Sequence, residues 1–210
     1  MKIIRLNYIL SLFYLLLSHG VFSQVGYGIH EVKVTESEIV INVETNVDNF
    51  KCRINTKALN DFILVKNVWS DMNIDFDGFD IKYSIEDFKC PLSAMTKDLR
   101  SILKADQQPY LSLILESIAI GSHNEDFEEL DVTAVATISI AGVKRKISIE
   151  DGIVTNHSSA SLTLEGATKI LLTDFNIEPP TKFLGLIKIK DEVNIEFEVG
   201  MVLTSPLTKK

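Results

Sequence analysis

Apolar and polar residues alternate with a period of two along most of the chain. Ile39, Ile41, Val43 and Val47 alternate with Asn42, Glu44 and Asn46, and Phe50, Cys52 and Ile54 with Lys51, Arg53 and Asn55. Phe79, Ile81, Tyr83 and Ile85 alternate with Asp80, Lys82, Ser84 and Glu86. Leu111, Leu113 and Leu115 share one face, as do Val132, Ala134, Ala136, Ile138 and Ile140. Val193, Ile195, Phe197 and Val199 close the series against Asn194, Glu196 and Glu198. This period places apolar side chains on one side of a strand and wet ones on the other, the pattern of antiparallel sheets. Turn residues punctuate the runs. Ala141-Gly142 reads as a tight hairpin, and Asp77-Gly78 and Asp151-Gly152 as further turns. Pro179-Pro180 cannot donate ladder hydrogen bonds and marks a strand end.

One segment changes period. Met95, Leu99, Ile102 and Leu103 recur at helical spacing after Pro91, with Ser93 placed to cap the start. The pattern predicts one short amphipathic helix over residues 92–104, lying across one end of a barrel or sandwich of roughly eight to ten strands.

The first residues form a separate unit. Lys2 and Arg5 precede the apolar run Ile9 to Leu17, and Ser18-His19-Gly20 loosens the chain before Val21-Phe22-Ser23. This layout predicts a secretory signal peptide over residues 1–23, cleaved after Ser23, and a mature domain over 24–210. The apolar run falls short of the roughly 20 residues of a spanning helix, and nothing later approaches one. The expected location is therefore periplasmic or secreted, in soluble form.

The leader carries two bases and no acid, so its removal moves the formal net charge from −8 to −10. A surface this acidic repels phosphate backbones, which argues against nucleic acid as a partner. Cys52 and Cys90 are the chain's two cysteines. In an oxidising compartment such a pair reads as a disulfide, two buried free thiols being the other reading.

Catalytic chemistry finds little support. His30, His123 and His157 have no metal-ligand spacing, and no nucleophile elbow or phosphate-binding glycine loop is present. His123 falls in the loop-like Gly121-Ser122-His123-Asn124-Glu125. The acidic run Glu125 to Glu129 lacks the spacing and the glycine of a calcium loop and reads as a solvated hairpin tip. No nucleophile–base pair is visible, so a binding protein is expected and an enzyme is not.

Several segments resemble, in order, the YceI-like family of exported bacterial proteins. They are Glu44 to Cys52 (ETNVDNFKC), Phe88-Lys89-Cys90 with the following helix and Pro109-Tyr110-Leu111, the hairpin Thr137 to Ile147, and Thr173 to Pro180 with Gly185 to Ile189. Ala141 and the acidic stretch 121–131 depart from the family pattern. The resemblance implies an all-β fold, an eight-stranded antiparallel lipocalin-like barrel with one short amphipathic helix, enclosing an isoprenoid or similar amphiphile.

A barrel of that size holds at most one small ligand, here an apolar, chain-like molecule. No cofactor is expected beyond such a bound isoprenoid lipid or quinone. The expected lining is Val43, Phe50, Ile54, Leu113, Ala134, Ala136, Phe175 and Phe197, with Met95 and Leu99 closing one end. The small Ala134 and Ala136 are where a lumen is expected. Without a cavity beside them, the other reading is a solid barrel serving as a structural or interaction module. Arg145 shares the inward parity of Val143 and Ile147 and is expected at the rim, its guanidinium reaching water or a ligand's polar head.

Overall fold

The computed structural model describes residues 26–57, 62–70, 72–123, 125–126, 128–158, 160–182 and 186–203. The signal-peptide segment lies outside the described residues. Among those described, no helix is long and apolar enough to cross a membrane.

The alternating runs become strands. They are β1 (Gly26–Glu44), β2 (Asn49–Lys57), β3 (Phe62–Ser70), β4 (Asn73–Asp77), β5 (Asp80–Ser84), β6 (Tyr110–His123), β7 (Glu129–Ile140), β8 (Val143–Ser158), β9 (Ser161–Leu171), β10 (Thr181–Lys182), β11 (Ile187–Lys188) and β12 (Glu192–Leu203). One helix, α1 (Ser93–Ile102), lies between β5 and β6. The pairings are antiparallel, and the β12–β1 pairing brings the sheet back to its first strand.

The wall has eight positions, because two of them are each shared by two short strands. β2 pairs with Glu36–Glu44 of β1 and β3 with Gly26–Lys33, so the two lie end to end along one neighbour. β4 and β5 lie end to end along β6 in the same way. The break between them falls at Gly78, whose φ of 93° suits the expected turn.

The circuit is not continuous along its height, which corrects the expectation of a closed barrel. β3 pairs with β4, but between β2 and β5 the wall is bridged through Arg53 and Lys89, by backbone hydrogen bonds of 2.8 and 2.9 Å. β8 and β9 pair from Ile153–Glu165 to Ser158–Ser161, and nearer the helix they share no ladder. The 3-10 turn Leu172–Phe175 packs beside β8 there.

Inward residues form one core. Ile39 stands opposite Phe197 and Ile41 opposite Ile195, as alternation requires. Ala141 (φ 50°) and Gly142 (φ 82°) make the expected two-residue hairpin between β7 and β8, with Ile140 paired to Val143. Asp151-Gly152 forms no turn. Gly152 lies inside β8, where an added Cβ would sit 2.9 Å from a Val132 methyl, beside a register shift between Val132 and Ala134. Glycine there permits a close strand approach. His123, expected in a loop, ends β6, while Glu125 and Asp126 form the exposed connection beyond it.

On the outer wall Glu38, Glu198 and Glu165 face one another across β1, β12 and β9. Partial burial, and then the charges of Glu165, Glu36 and Glu38, raise the Glu198 carboxyl above its ordinary value. A raised carboxyl binds its proton more tightly in the folded chain. Its contribution to stability is full below the unfolded value and is lost as pH rises through the folded one. Glu198→Gln is therefore expected to add a few tenths of a kcal/mol at neutral pH, roughly the cost of opposed like charges. It should add less at acidic pH. Urea midpoints at both pH values check this, and an equal gain at both would refute the assignment.

Candidate functional site

The helix end of the barrel is built differently from the rest. Pro91 precedes α1 and Leu92, rather than Ser93, occupies the N-cap, in extended conformation and without a side-chain cap. The Thr96 hydroxyl accepts the Cys90 amide at 3.0 Å, tying the first turn to the preceding segment. Arg100 fastens the far end of the helix, with Nη1 2.8 Å from the Glu86 carboxylate and a second bond to the Glu86 carbonyl. Cys52 and Cys90 form a disulfide with Cα atoms 4.1 Å apart. It clasps β2 to the segment that leads into α1, beside the Arg53–Lys89 bridge.

Met95 and Leu99 are half-buried, because the helix faces a cavity instead of a filled core. The cavity has a volume of about 340 Å³. Its walls come from α1, from the helix-end residues of β1, β2, β6, β7, β9 and β12, and from the segment between β9 and β12. Thr45 and Asp98 are its polar side chains apart from Cys52, which is in the disulfide, and the remainder is apolar. A space of about 30 Å³ between Leu113, Ile147 and Phe197 shares Ile41, Leu111, Ile140 and Ile195 with the cavity. Further from the helix, the buried Tyr83 hydroxyl meets the Ser37 hydroxyl at 2.7 Å, joining β5 to β1. Burial raises the Tyr83 hydroxyl pKa, partly offset by that hydrogen bond, so it stays neutral.

The expected lining residues divide by height. Val43, Phe50, Met95, Leu99 and Phe175 meet around the 340 Å³ cavity, while Leu113 and Phe197 border the smaller space. Ile54 is 1% exposed and borders neither. Ala134 and Ala136 are buried in packed core and border neither space, which corrects the expected position of the lumen. Their cross-strand partners explain why. Ile118 and Ile149 flank Ala134, and Leu115 and Ile147 flank Ala136, so small residues sit between large ones.

Arg145 is exposed, as expected of a rim residue, with Nη1 donating to the Lys144 carbonyl at 2.9 Å. It borders an outer cleft of about 260 Å³ together with Lys169 and Asp174. Phe175 and Ile170 separate this cleft from the apolar cavity and line both. Arg145 therefore stands outside the cavity wall.

Sequence reasoning missed two groups of lining residues. Ile41, Ile140 and Ile195 share the inward parity of the residues it chose, so parity could have found them. Ile177, Ile187 and Ile189 lie in the segment between β9 and β12, where Ile187 and Ile189 alternate with Lys188 and Lys190 over a run too short to read as a wall strand.

The model of the YceI-like domain family matches residues 30–201. The chain belongs to that family. Among curated proteins none matches significantly. Solved structures similar to this YceI-like domain include a polyisoprenoid binding domain from Saccharophagus degradans implicated in plant cell wall breakdown. It is 11% identical, with a TM-score of 0.56, covering 86% of this chain and all of that one. Burkholderia cenocepacia BcnA is 14% identical over 82% of this chain and 95% of its own, with a TM-score of 0.41. A Campylobacter jejuni YceI protein is 18% identical over 64% of this chain and 75% of its own, with a TM-score of 0.43. At these identities the first neighbour supports the all-β fold. The eight wall positions of this YceI-like domain agree with the eight strands that the family resemblance implied, once the two divided positions are each taken as one.

Proposed function

We propose that this YceI-like domain is a lipid-binding protein whose helix-end cavity holds an apolar, chain-like amphiphile of isoprenoid type. The observation that carries the reading is the cavity itself. It measures about 340 Å³ and is lined almost entirely by aliphatic side chains, Phe50 and Phe175. That volume is at the small end of the roughly 300–1,000 Å³ of small-molecule sites. A slender chain entering it gains about 0.8 kcal/mol per methylene removed from water. The Saccharophagus degradans neighbour, a polyisoprenoid binding domain, supports the same ligand class.

The head group is uncharged or weakly polar, as in a quinone. Among the described residues that line the cavity there is no lysine or arginine, and the charged one is Asp98. A pyrophosphate would need several cationic donors and would meet a carboxylate instead. Export fits the same reading. The leader-like residues 1–23 and the Cys52–Cys90 disulfide both suit an oxidising compartment.

The test has two parts. Organic extraction of the purified protein followed by mass spectrometry should release a neutral isoprenoid lipid. The apolar dye N-phenyl-1-naphthylamine should brighten in the cavity, and Leu99→Trp, which fills it from α1, should weaken dye binding by about tenfold or more. That corresponds to roughly 1.4 kcal/mol of lost burial. A protein that yields no lipid and leaves the dye dark does not bind lipid there.

A further inference from the structure

The three most exposed large apolar side chains among the described residues lie together at the helix end. They are Leu186 at 73%, Val47 at 64% and Leu92 at 60%. Val47 is at the tip of the β1–β2 turn and Leu186 precedes β11, and Asn46 holds the two tips side by side. Its side-chain amide donates to the Leu186 carbonyl at 3.0 Å and accepts the Lys188 amide at 2.7 Å. Leu92 borders the cavity at the start of α1, and Thr45 and Ile187, next to the two tips, border it as well. The exposed apolar residues thus form the rim of the cavity mouth.

Charge is distributed to match. The acidic β6–β7 connection is at the opposite end, and Glu36, Glu38, Glu165 and Glu198 stand on the outer wall. The exposed Lys89, Lys97, Lys104, Lys144, Arg145 and Lys188 belong to segments at the helix end, where they stand among the exposed acids Asp48, Glu86, Asp87, Asp106, Asp174 and Glu178. In a chain of net charge −8, this end therefore holds cations and acids in rough balance beside the most exposed apolar tips. That combination suits a phospholipid surface, where apolar side chains enter the head-group layer and lysines remain at the phosphates.

We propose that this rim docks on a phospholipid membrane with the cavity mouth facing the bilayer, so that an apolar ligand passes between the two without crossing water. The inference rests on the lipid-binding reading of the cavity and names the surface that supplies or receives the ligand. A second protein is the other occupant such a rim could take, and vesicles free of protein separate the two.

The test uses the full chain with a single environment-sensitive dye attached through Leu186→Cys at the rim or Glu125→Cys at the opposite end. Cys52 and Cys90 are bonded to each other and do not react. With vesicles of phosphatidylethanolamine and phosphatidylglycerol, the dye at position 186 should shift to the blue and the dye at 125 should not. Adding Val47→Asp should raise the vesicle concentration needed for the shift several-fold, and Val47→Ser should raise it less. No shift at 186, equal shifts at both positions, or a shift indifferent to Val47→Asp would overturn the proposal. Uptake of N-phenyl-1-naphthylamine without vesicles reads the cavity alone, so failure of docking and failure of lipid binding are seen separately.

Discussion

Replacing Cys52 and Cys90 together by alanine is expected to lower the unfolding free energy by roughly 2–4 kcal/mol. The bond closes a separation of 38 residues that includes β3, β4 and β5. Cross-linking that stretch removes loop-closure entropy from the unfolded chain, and the gain grows slowly with loop length. The location adds a second effect. The clasp lies where β2 and β5 share no ladder, and the neighbouring tie is the backbone bridge between Arg53 and Lys89. Without the bond, α1 keeps its Arg100–Glu86 contacts, the Thr96–Cys90 tie and the packing of Leu99 and Ile102, but loses its covalent link to β2 beside the open cavity. Dye affinity should therefore fall along with stability. Urea unfolding of the double variant, with the reduced parent as a control, checks the expectation. A loss below about 1 kcal/mol would show that the strands on either side hold the seam by themselves.

The strands were legible because most carry one wet face and one buried face. In β5 Ile81 and Tyr83 are buried while Lys82 between them is exposed, and the residue string alone shows that contrast. The Ala141-Gly142 hairpin was legible for a local reason too, since two consecutive positive-φ residues need little beyond the dipeptide. Asp151-Gly152 was misread because the same local signal serves two purposes. What distinguishes them is the approach of Val132 on the next strand, which no dipeptide reveals. The site divided in the same way. Parity correctly turned Val43 and Phe50 toward the interior, but it carries no information about height along the barrel axis. The interruptions of the wall depend on which strands lose their ladders, a relation between segments far apart in sequence. Part of the cavity's wall comes from the segment between β9 and β12, where a 3-10 turn, prolines and two-residue strands leave little period to read.

Height along the axis underlies the second large effect. Ala136→Phe is expected to destabilise the domain by about 1–3 kcal/mol, the range for forcing volume into a packed core. Ala136 is 0% exposed, with Leu115 on one side and Ile147 on the other, and the cavity does not reach it. An added ring there must displace β-sheet neighbours, whose side chains are already held by the pleat. Had the lumen lain beside the alanines, the same ring would have filled empty space. It would then have expelled the ligand at little cost in stability. Leu99→Trp provides the contrast, because its indole enters the open cavity from a half-buried helix position and should leave stability within about 1 kcal/mol of the parent. The pair thus separates two maps of one barrel by two readouts. Urea midpoints should fall for Ala136→Phe and hold for Leu99→Trp, while dye binding should survive in folded Ala136→Phe and fail in Leu99→Trp. The reverse pattern would place the binding space at mid-barrel, beside Ala134 and Ala136.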